Sequence, residues 1–315
     1  MKLILPIVLL TINIGLCLAQ GLVVPKDTSF TVASTYLKEQ KRRPYIVVAA
    51  PKKSKTTIAQ LDIPYKHIGQ RELLLDVFYP KNTKHQKPAV LLVFGGGWRS
   101  GDKTQNHAMA VELANKGYVA VSAEYRLSPE AIYPAAVLDL KDVIKWMRAN
   151  AMQYGIDTNK IAILGCSAGG QLAALIGTTN CNPKFEDTSS TQLVSSKVQA
   201  VVDIDGILAF HHPESAEGAV AAQWLGGTYA QQPEKWEDAS ALSHLDKRTV
   251  PFLFINSATA RFHAGRDSMM KQMSTLGIYS EAQTIDDTPH PFWFFHPWFQ
   301  PMMGYVVAFL EKQFQ

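Results

Sequence analysis

A serine set between small residues constrains the fold of this chain more than any other feature. The pentapeptide GCSAG at 165–169 directly follows an apolar run at 160–164 and opens a stretch of small residues, GGQLAALIG. A buried strand, a turn too sharp for large neighbours and then a helix form the context that exposes such a serine as a nucleophile. The pattern predicts a strained turn at the edge of a sheet, with Ser167 as the nucleophile.

Apolar runs alternate with helix-like stretches along most of the chain. Between two of the runs, the stretch 134–149 spaces its apolar residues three or four positions apart, as on one face of a helix. This alternation predicts an α/β fold with a mostly parallel central sheet and helices on both faces. An early pair of strands is expected at 67–80. The other runs lie at 88–94, 118–122, 160–164, 198–204, 251–255 and 279–285.

About forty residues, 207–246, interrupt this alternation before the second-last strand. They contain a helical candidate at 217–225 followed by Gly226-Gly227. An insertion at this place predicts a small cap over the site. We expect a single α/β domain over 20–315, because no interdomain linker or internal repeat is present in the sequence.

The N-terminal segment predicts export. Lys2 precedes an apolar stretch at 3–18, and Ala19-Gln20 follows. This arrangement indicates a signal peptide at 1–19 and a secreted or periplasmic mature chain. A membrane anchor and a lipidated Cys17 are the alternatives, although a transmembrane helix usually needs ~20 apolar residues. No later segment is apolar enough to span a membrane, so we expect no membrane span in the mature chain.

Two further cysteines, Cys166 and Cys181, follow the first. We expect them to remain unjoined, because ten helical residues already span ~15 Å, beyond the ~7 Å that bridged Cα atoms allow. The formal charge of +4 is spread along the chain. Such a weak excess, without any arginine-rich or zinc-finger pattern, argues against a nucleic-acid partner.

A glycine run, FGGGW at 94–98, follows the strand predicted at 88–94. Acyl transfer builds negative charge on a carbonyl oxygen, and backbone N–H groups must approach that oxygen closely. Because only glycine permits such an approach, Gly96 and Gly97 are candidate donors, with the Ala168 amide as their partner. A simple glycine turn is the alternative.

The catalytic base is expected just past the last strand. His290 occupies that place within DTPHPF, although nine histidines are present in the chain. An aromatic run at 292–299 follows it. Trp293 and Trp98 are candidate platforms for a sugar, with core packing as the alternative. Arg261 and Arg266 are candidate clamps for a carboxylate, with structural salt bridges as the alternative.

Residues ~67–313 resemble α/β-hydrolases of the bifunctional acetylxylan esterase and feruloyl esterase type, and more distantly the hormone-sensitive-lipase-like esterases. The resemblance implies deacylation of carbohydrate esters by a serine hydrolase without a metal or an organic cofactor. Phe94 stands where these families usually place a histidine that organises the oxyanion loop. The matching stretches are FGGGW, AEYRLSPEAIYPAAVLDL, GIDTNKIAILGCSAGGQLAALIGTT, WLGG and TPHPF.

The third member of the triad is the least determined. The resemblance implies an aspartate after the strand at 251–255, but this chain reads NSATA there. A carboxylate at the end of the preceding strand can reach the same histidine, which favours Asp205. Asp267, near the start of the next helix, is the second candidate. Asp203 and Asp287 are the remaining ones.

Three functions follow from these features. The first is an exported carbohydrate esterase that removes acetyl or similar small acyl groups from an oligo- or polysaccharide such as xylan or pectin. The pair Arg261 and Arg266 favours an acidic glycan. The second is a non-catalytic carbohydrate-binding relative, suggested by the missing aspartate and by Phe94. The third is a lipase or peptidase on the same fold.

Overall fold

The computed structural model describes residues 27–52, 54–81, 85–180, 182–187 and 194–315. The signal peptide expected at 1–19, with Cys17, and the cysteine at position 181 lie outside these ranges. Cys166 is buried as a free thiol. Within the ranges, no helix combines the length and the apolar character needed to cross a bilayer.

Eight strands of the described chain form one mixed sheet in the order β2-β3-β5-β4-β6-β7-β8-β9. The strands β2, β3 and β5 pair antiparallel, and all pairs from β5 to β9 are parallel. Two short strands, β1 and β10, pair separately. The strands are Val47–Val48 (β1), Thr57–Ile68 (β2), Arg71–Pro80 (β3), Lys87–Val93 (β4), Val119–Ala123 (β5), Ile156–Cys166 (β6), Ala200–Ile204 (β7), Phe252–Ser257 (β8), Ser280–Ile285 (β9) and Phe295–His296 (β10).

Helices cover both faces of this sheet, as the alternation predicts. Along β4, Leu91 and Val93 pack with α3 and α5, whereas Val90 and Leu92 pack with α2 and α9. Burial on both faces explains why this strand is continuously apolar. The helices are Val32–Glu39 (α1), His107–Asn115 (α2), Ala135–Ala149 (α3), Ala151–Tyr154 (α4), Ala168–Thr178 (α5), Gly218–Leu225 (α6), Pro233–Asp238 (α7), Arg266–Thr275 (α8) and Phe299–Phe314 (α9).

The predicted early strand pair is a hairpin that is longer than expected. Its first strand begins at Thr57 instead of residue 67. Most residues of β2 are exposed or half-buried, because β2 lies at the edge of the sheet. An exposed edge strand carries no apolar run, so its first half gives no hydrophobic signal in the sequence.

The segment at 207–246 connects β7 to β8 and includes α6 and α7. It packs onto the glycine run through aromatic rings. Trp224 of α6 stacks on Trp98 with ring centroids 5.0 Å apart, and Phe210 lies 5.3 Å from the same indole. The segment therefore lies against the loop at 94–98.

Candidate active site

The Ser167 turn joins β6 to α5 in a conformation that the flanking glycines make possible. Ser167 has φ 55° and ψ −121°, and its N–H donates to the Ile204 carbonyl at 2.8 Å. A Cβ on Gly165 would lie 1.9 Å from the Gly169 carbonyl oxygen, and a Cβ on Gly169 would lie 2.2 Å from the Val93 oxygen. Only glycine fits at either position, so the turn matches a nucleophile elbow.

Three side chains from three different strand ends form one hydrogen-bonded series. Nε2 of His290 lies 2.8 Å from Oγ of Ser167, and Nδ1 of His290 lies 2.9 Å from Oδ2 of Asp205. Ser167 follows β6, Asp205 follows β7, and His290 follows β9. The carboxyl ends of parallel strands meet at one edge of a sheet, which is why distant parts of the sequence converge here. This is the arrangement of a serine, a base and an orienting carboxylate.

Asp205 is held on both of its oxygens. Its Oδ2 faces His290, and its Oδ1 accepts a hydrogen bond from the Ser257 amide at 2.7 Å. The backbone at Asp205 has φ 51°, and its own N–H donates to the Ile255 carbonyl. The Ser257 amide, at the end of the strand after which the resemblance implies an acid, thus orients an acid that follows β7.

The other candidate acids do not reach the histidine. The side chain of Asp267 is 77% exposed and pairs with Arg266 instead of His290. It does not cap α8 either, since Gly265 occupies the N-cap position. Asp287 is exposed. Asp203 is buried and accepts from the Gly206 amide, and burial raises the pKa of its carboxyl well above the usual range.

The glycine run lies directly against the Ser167 turn. A Cβ on Gly95 would lie 3.1 Å from Cβ of Ser167, and a Cβ on Gly96 would lie 2.1 Å from the Ser100 carbonyl oxygen. Gly96 and Gly97 have φ angles of 138° and 59°. Among the described residues, no acceptor takes the N–H of Gly96, Gly97 or Ala168. These amides are therefore available to an oxyanion at Ser167.

Phe94 stands where the resemblance implies a histidine that organises the oxyanion loop. Here the position makes an aromatic contact instead. Its ring stacks on Tyr125 with centroids 4.4 Å apart, and the Tyr125 hydroxyl donates to the Phe94 carbonyl at 2.9 Å. This pair anchors the start of the loop at 94–98 without a histidine.

The two tryptophans predicted to bind substrate are both buried. Trp98 and Trp293 are each 2% exposed, so neither offers an open face to a sugar. Trp98 donates its indole N–H to Oε1 of Gln171 at 2.9 Å, which ties the glycine loop to α5. Trp293 places its ring edge-on to His290, with centroids 5.1 Å apart. Both rings support the site from within the core.

The two arginines do not form the expected clamp. Arg266 donates to Oδ1 of Asn256 at 2.8 Å and to Asp267, so its guanidinium is already occupied. Arg261 is 46% exposed, and its Nη1 lies 3.5 Å from Oε1 of Glu217. The expectation of an acidic glycan loses its basis, because Arg261 and Arg266 each pair with groups of the protein and do not form a clamp.

Two residues at the site, Phe262 and Glu217, were not predicted from the sequence. Phe262 stacks on His290 with centroids 3.4 Å apart and an interplanar angle of 10°, and Arg261 covers the phenyl ring at 4.0 Å. Glu217 precedes α6 and is largely buried beside Arg261. Neither residue belongs to a motif. The one available signal was an aromatic residue between the charged and polar residues of the stretch ARFHAGRD.

One family model and several esterases match this chain. The BD-FAE family model matches residues 75–268. Esterase LipC of Mycobacterium tuberculosis is 36% identical over 193 residues, which cover 59% of this chain and 47% of that protein. The chain spans about half the length of the curated relatives that it matches.

Two solved structures share the fold. A truncated carbohydrate esterase from gut microbiota has a TM-score of 0.70 at 22% identity, over 84% of this chain and 98% of that one. Propionate-bound esterase 2 of Thermogutta terrifontis has a TM-score of 0.68 at 25% identity, over 81% of this chain and 94% of that one.

Proposed function

Because this chain belongs to the BD-FAE family of α/β-hydrolase esterases, we propose that it is a serine carboxylesterase acting on acylated carbohydrate. Its substrates are acetyl or similar small acyl esters of plant cell-wall polysaccharides such as xylan or pectin. The single observation that carries the proposal is the hydrogen-bonded series from Asp205 through His290 to Ser167. The carbohydrate esterase among the similar structures supports the substrate class.

Acylation begins when Oγ of Ser167 attacks the acyl carbonyl and Nε2 of His290 accepts the hydroxyl proton. Asp205 holds the proton on Nδ1 and stabilises the imidazolium that forms. The negative charge on the carbonyl oxygen is stabilised by the amides of Gly96, Gly97 and Ala168, and losing one such donor typically costs about 3 kcal/mol. His290 then protonates the departing sugar hydroxyl.

Deacylation repeats these steps with water. His290 removes a proton from a water molecule, whose oxygen attacks the acyl-serine carbonyl, and then returns that proton to Oγ of Ser167. The products are a carboxylic acid, the free sugar hydroxyl and the original enzyme. We also propose that the chain is exported through the N-terminal segment at 1–19.

Release of acetate tests the substrate class. The purified protein is incubated with acetylated xylan and acetylated pectin, in parallel with a long-chain triglyceride and a peptide. We expect acetate from at least one polysaccharide, and none from the Ser167→Ala variant. Cleavage of the triglyceride or the peptide without acetate release would refute the carbohydrate assignment.

A further inference from the structure

Glu217 is a largely buried carboxylate that interacts electrostatically with the catalytic histidine. One of its two oxygens lacks a hydrogen-bond donor among the described residues. The side chain is 15% exposed, and Oε1 is fully buried without a hydrogen-bond donor among the described residues. The nearest cation is Arg261, whose Nη1 lies 3.5 Å away, beyond the usual 2.7–3.2 Å of a hydrogen bond. Removing an ionised carboxylate from water without such partners is costly.

The contacts of Glu217 within the fold do not offset the cost of burying its carboxylate. Glu217 occupies the N-cap position of α6, yet its side chain makes no capping hydrogen bond. Oγ of Ser215, two residues earlier, is likewise buried without a partner in the described chain. Two such atoms on one short segment call for hydrogen-bond partners from outside the described chain, and a polar ligand is one such partner.

The position of Glu217 shows where that ligand would lie. In the same turn of chain, Cγ1 of Val220 lies 3.0 Å from the place that a Cβ on Gly97 would occupy, so this turn covers the oxyanion loop. Burial raises the pKa of Glu217, while the charges of Arg261 and His290 act to lower it. Arg261 itself stacks on Phe262, which stacks on His290. These contacts place Glu217 close to both the oxyanion loop and the catalytic base.

We propose that Glu217 accepts a hydrogen bond from a free hydroxyl of the alcohol half of the ester, with Arg261 as its counter-charge. This inference rests on the proposed function and narrows it to esters whose alcohol carries a hydroxyl next to the acylated one. Partly acetylated sugars have this chemistry. Simple alkyl esters lack it.

Two small esters that differ by one hydroxyl test the proposal. They are the monoacetate of 1,2-cyclohexanediol and cyclohexyl acetate. The measured quantity is the ratio of their kcat/KM values on one enzyme sample, which is independent of the folded fraction. We expect the wild-type protein to favour the diol ester by about tenfold or more, as for a hydrogen bond to a charged group.

The variant Glu217→Ala should bring this ratio close to one. Glu234→Ala, at an exposed glutamate in the first turn of α7, is the matched control and should keep the wild-type ratio. A wild-type ratio near one, or an unchanged ratio in Glu217→Ala, overturns the inference while leaving the esterase function intact. Absence of hydrolysis of both esters by the wild-type protein would instead contradict the proposed function.

Discussion

Three residues of the site have positive φ angles, a conformation that residues other than glycine rarely adopt. Ser167, Asp205 and Trp98 have φ angles of 55°, 51° and 58°. Such conformations cost on the order of 1–3 kcal/mol each and persist where the surroundings over-determine them. The amides of Ser167 and Asp205 donate to carbonyls of the neighbouring strands β7 and β8. These hydrogen bonds hold the nucleophile and the acid in place on either side of His290.

Replacing the acid should separate catalysis from folding. Asp205→Asn should lower kcat by up to ~10⁴ near neutral pH, because an amide does not hold His290 in the required tautomer. Stability should change little, since asparagine tolerates positive φ and its oxygen can still accept from the Ser257 amide. Asp267→Asn is the control and should remain fully active. Full activity of Asp205→Asn beside an inactive control would assign the acid to the loop after β8.

How far the sequence predicts the site depends on how local each signal is. The positions of Ser167 and His290 follow from short motifs beside strand ends. Asp205 stayed one of several candidates, because its contact with His290 spans 85 positions and depends on the strand order. The burial of Trp98 and Trp293 was not predicted, because the sequence around an aromatic residue does not reveal which rings the core buries. Glu217 has no local signal, since its environment is created by packing.

At the scale of elements, continuous apolar strands were predicted well and the exposed edge strand was not. A second feature invisible in the sequence is a buried ionic cluster that links β3 to the chain beyond the glycine run. Asp76 of β3 lies 2.6 Å from Nζ of Lys103 and 2.8 Å from Nε2 of His107. Both partners follow the loop at 94–98, so the cluster joins that segment to the sheet.

Breaking this cluster should destabilise the fold. Asp76→Asn should lower the free energy of unfolding by about 3 kcal/mol, because it removes the buried partner of Lys103. Asp62→Asn, at a carboxylate that is 67% exposed and bonds the same ammonium group, should cost much less. Urea unfolding at neutral pH measures both. Equal losses of unfolding free energy in the two variants would show that burial of Asp76 does not strengthen its contribution to stability.

The difference in stability between the wild-type protein and Asp76→Asn should depend on pH. Burial alone would raise the pKa of Asp76, but hydrogen bonds from His107 and Lys103 outweigh it and the pKa is lowered. A carboxyl with a lowered folded pKa stabilises the protein above its unfolded pKa of about 3.9 and loses that contribution as the pH falls through the folded value. The stability gap between wild type and Asp76→Asn should therefore narrow in acid. A gap that widens below pH ~4 would contradict this assignment.

At the scale of the whole molecule, one edge of the sheet collects the nucleophile, the base, the acid and the glycine loop, and the segment at 207–246 packs against that loop. Export would bring this edge to extracellular polysaccharide. The mature chain should begin near Gln20 and be recovered outside the cytoplasm. N-terminal sequencing of the exported material measures this, and an intact Met1 on a membrane-embedded product would refute it.

Covalent labelling tests most directly whether Ser167 is a nucleophile activated by His290. The protein is treated with a fluorophosphonate, and the modified peptide is located by mass spectrometry alongside hydrolysis of a small acetyl ester. We expect one adduct per chain, on the peptide containing Ser167, together with loss of activity. Ser167→Ala should take up no label and lose roughly 10⁶ in kcat. Labelling at another residue, or a tenth of wild-type activity in Ser167→Ala, would contradict the account.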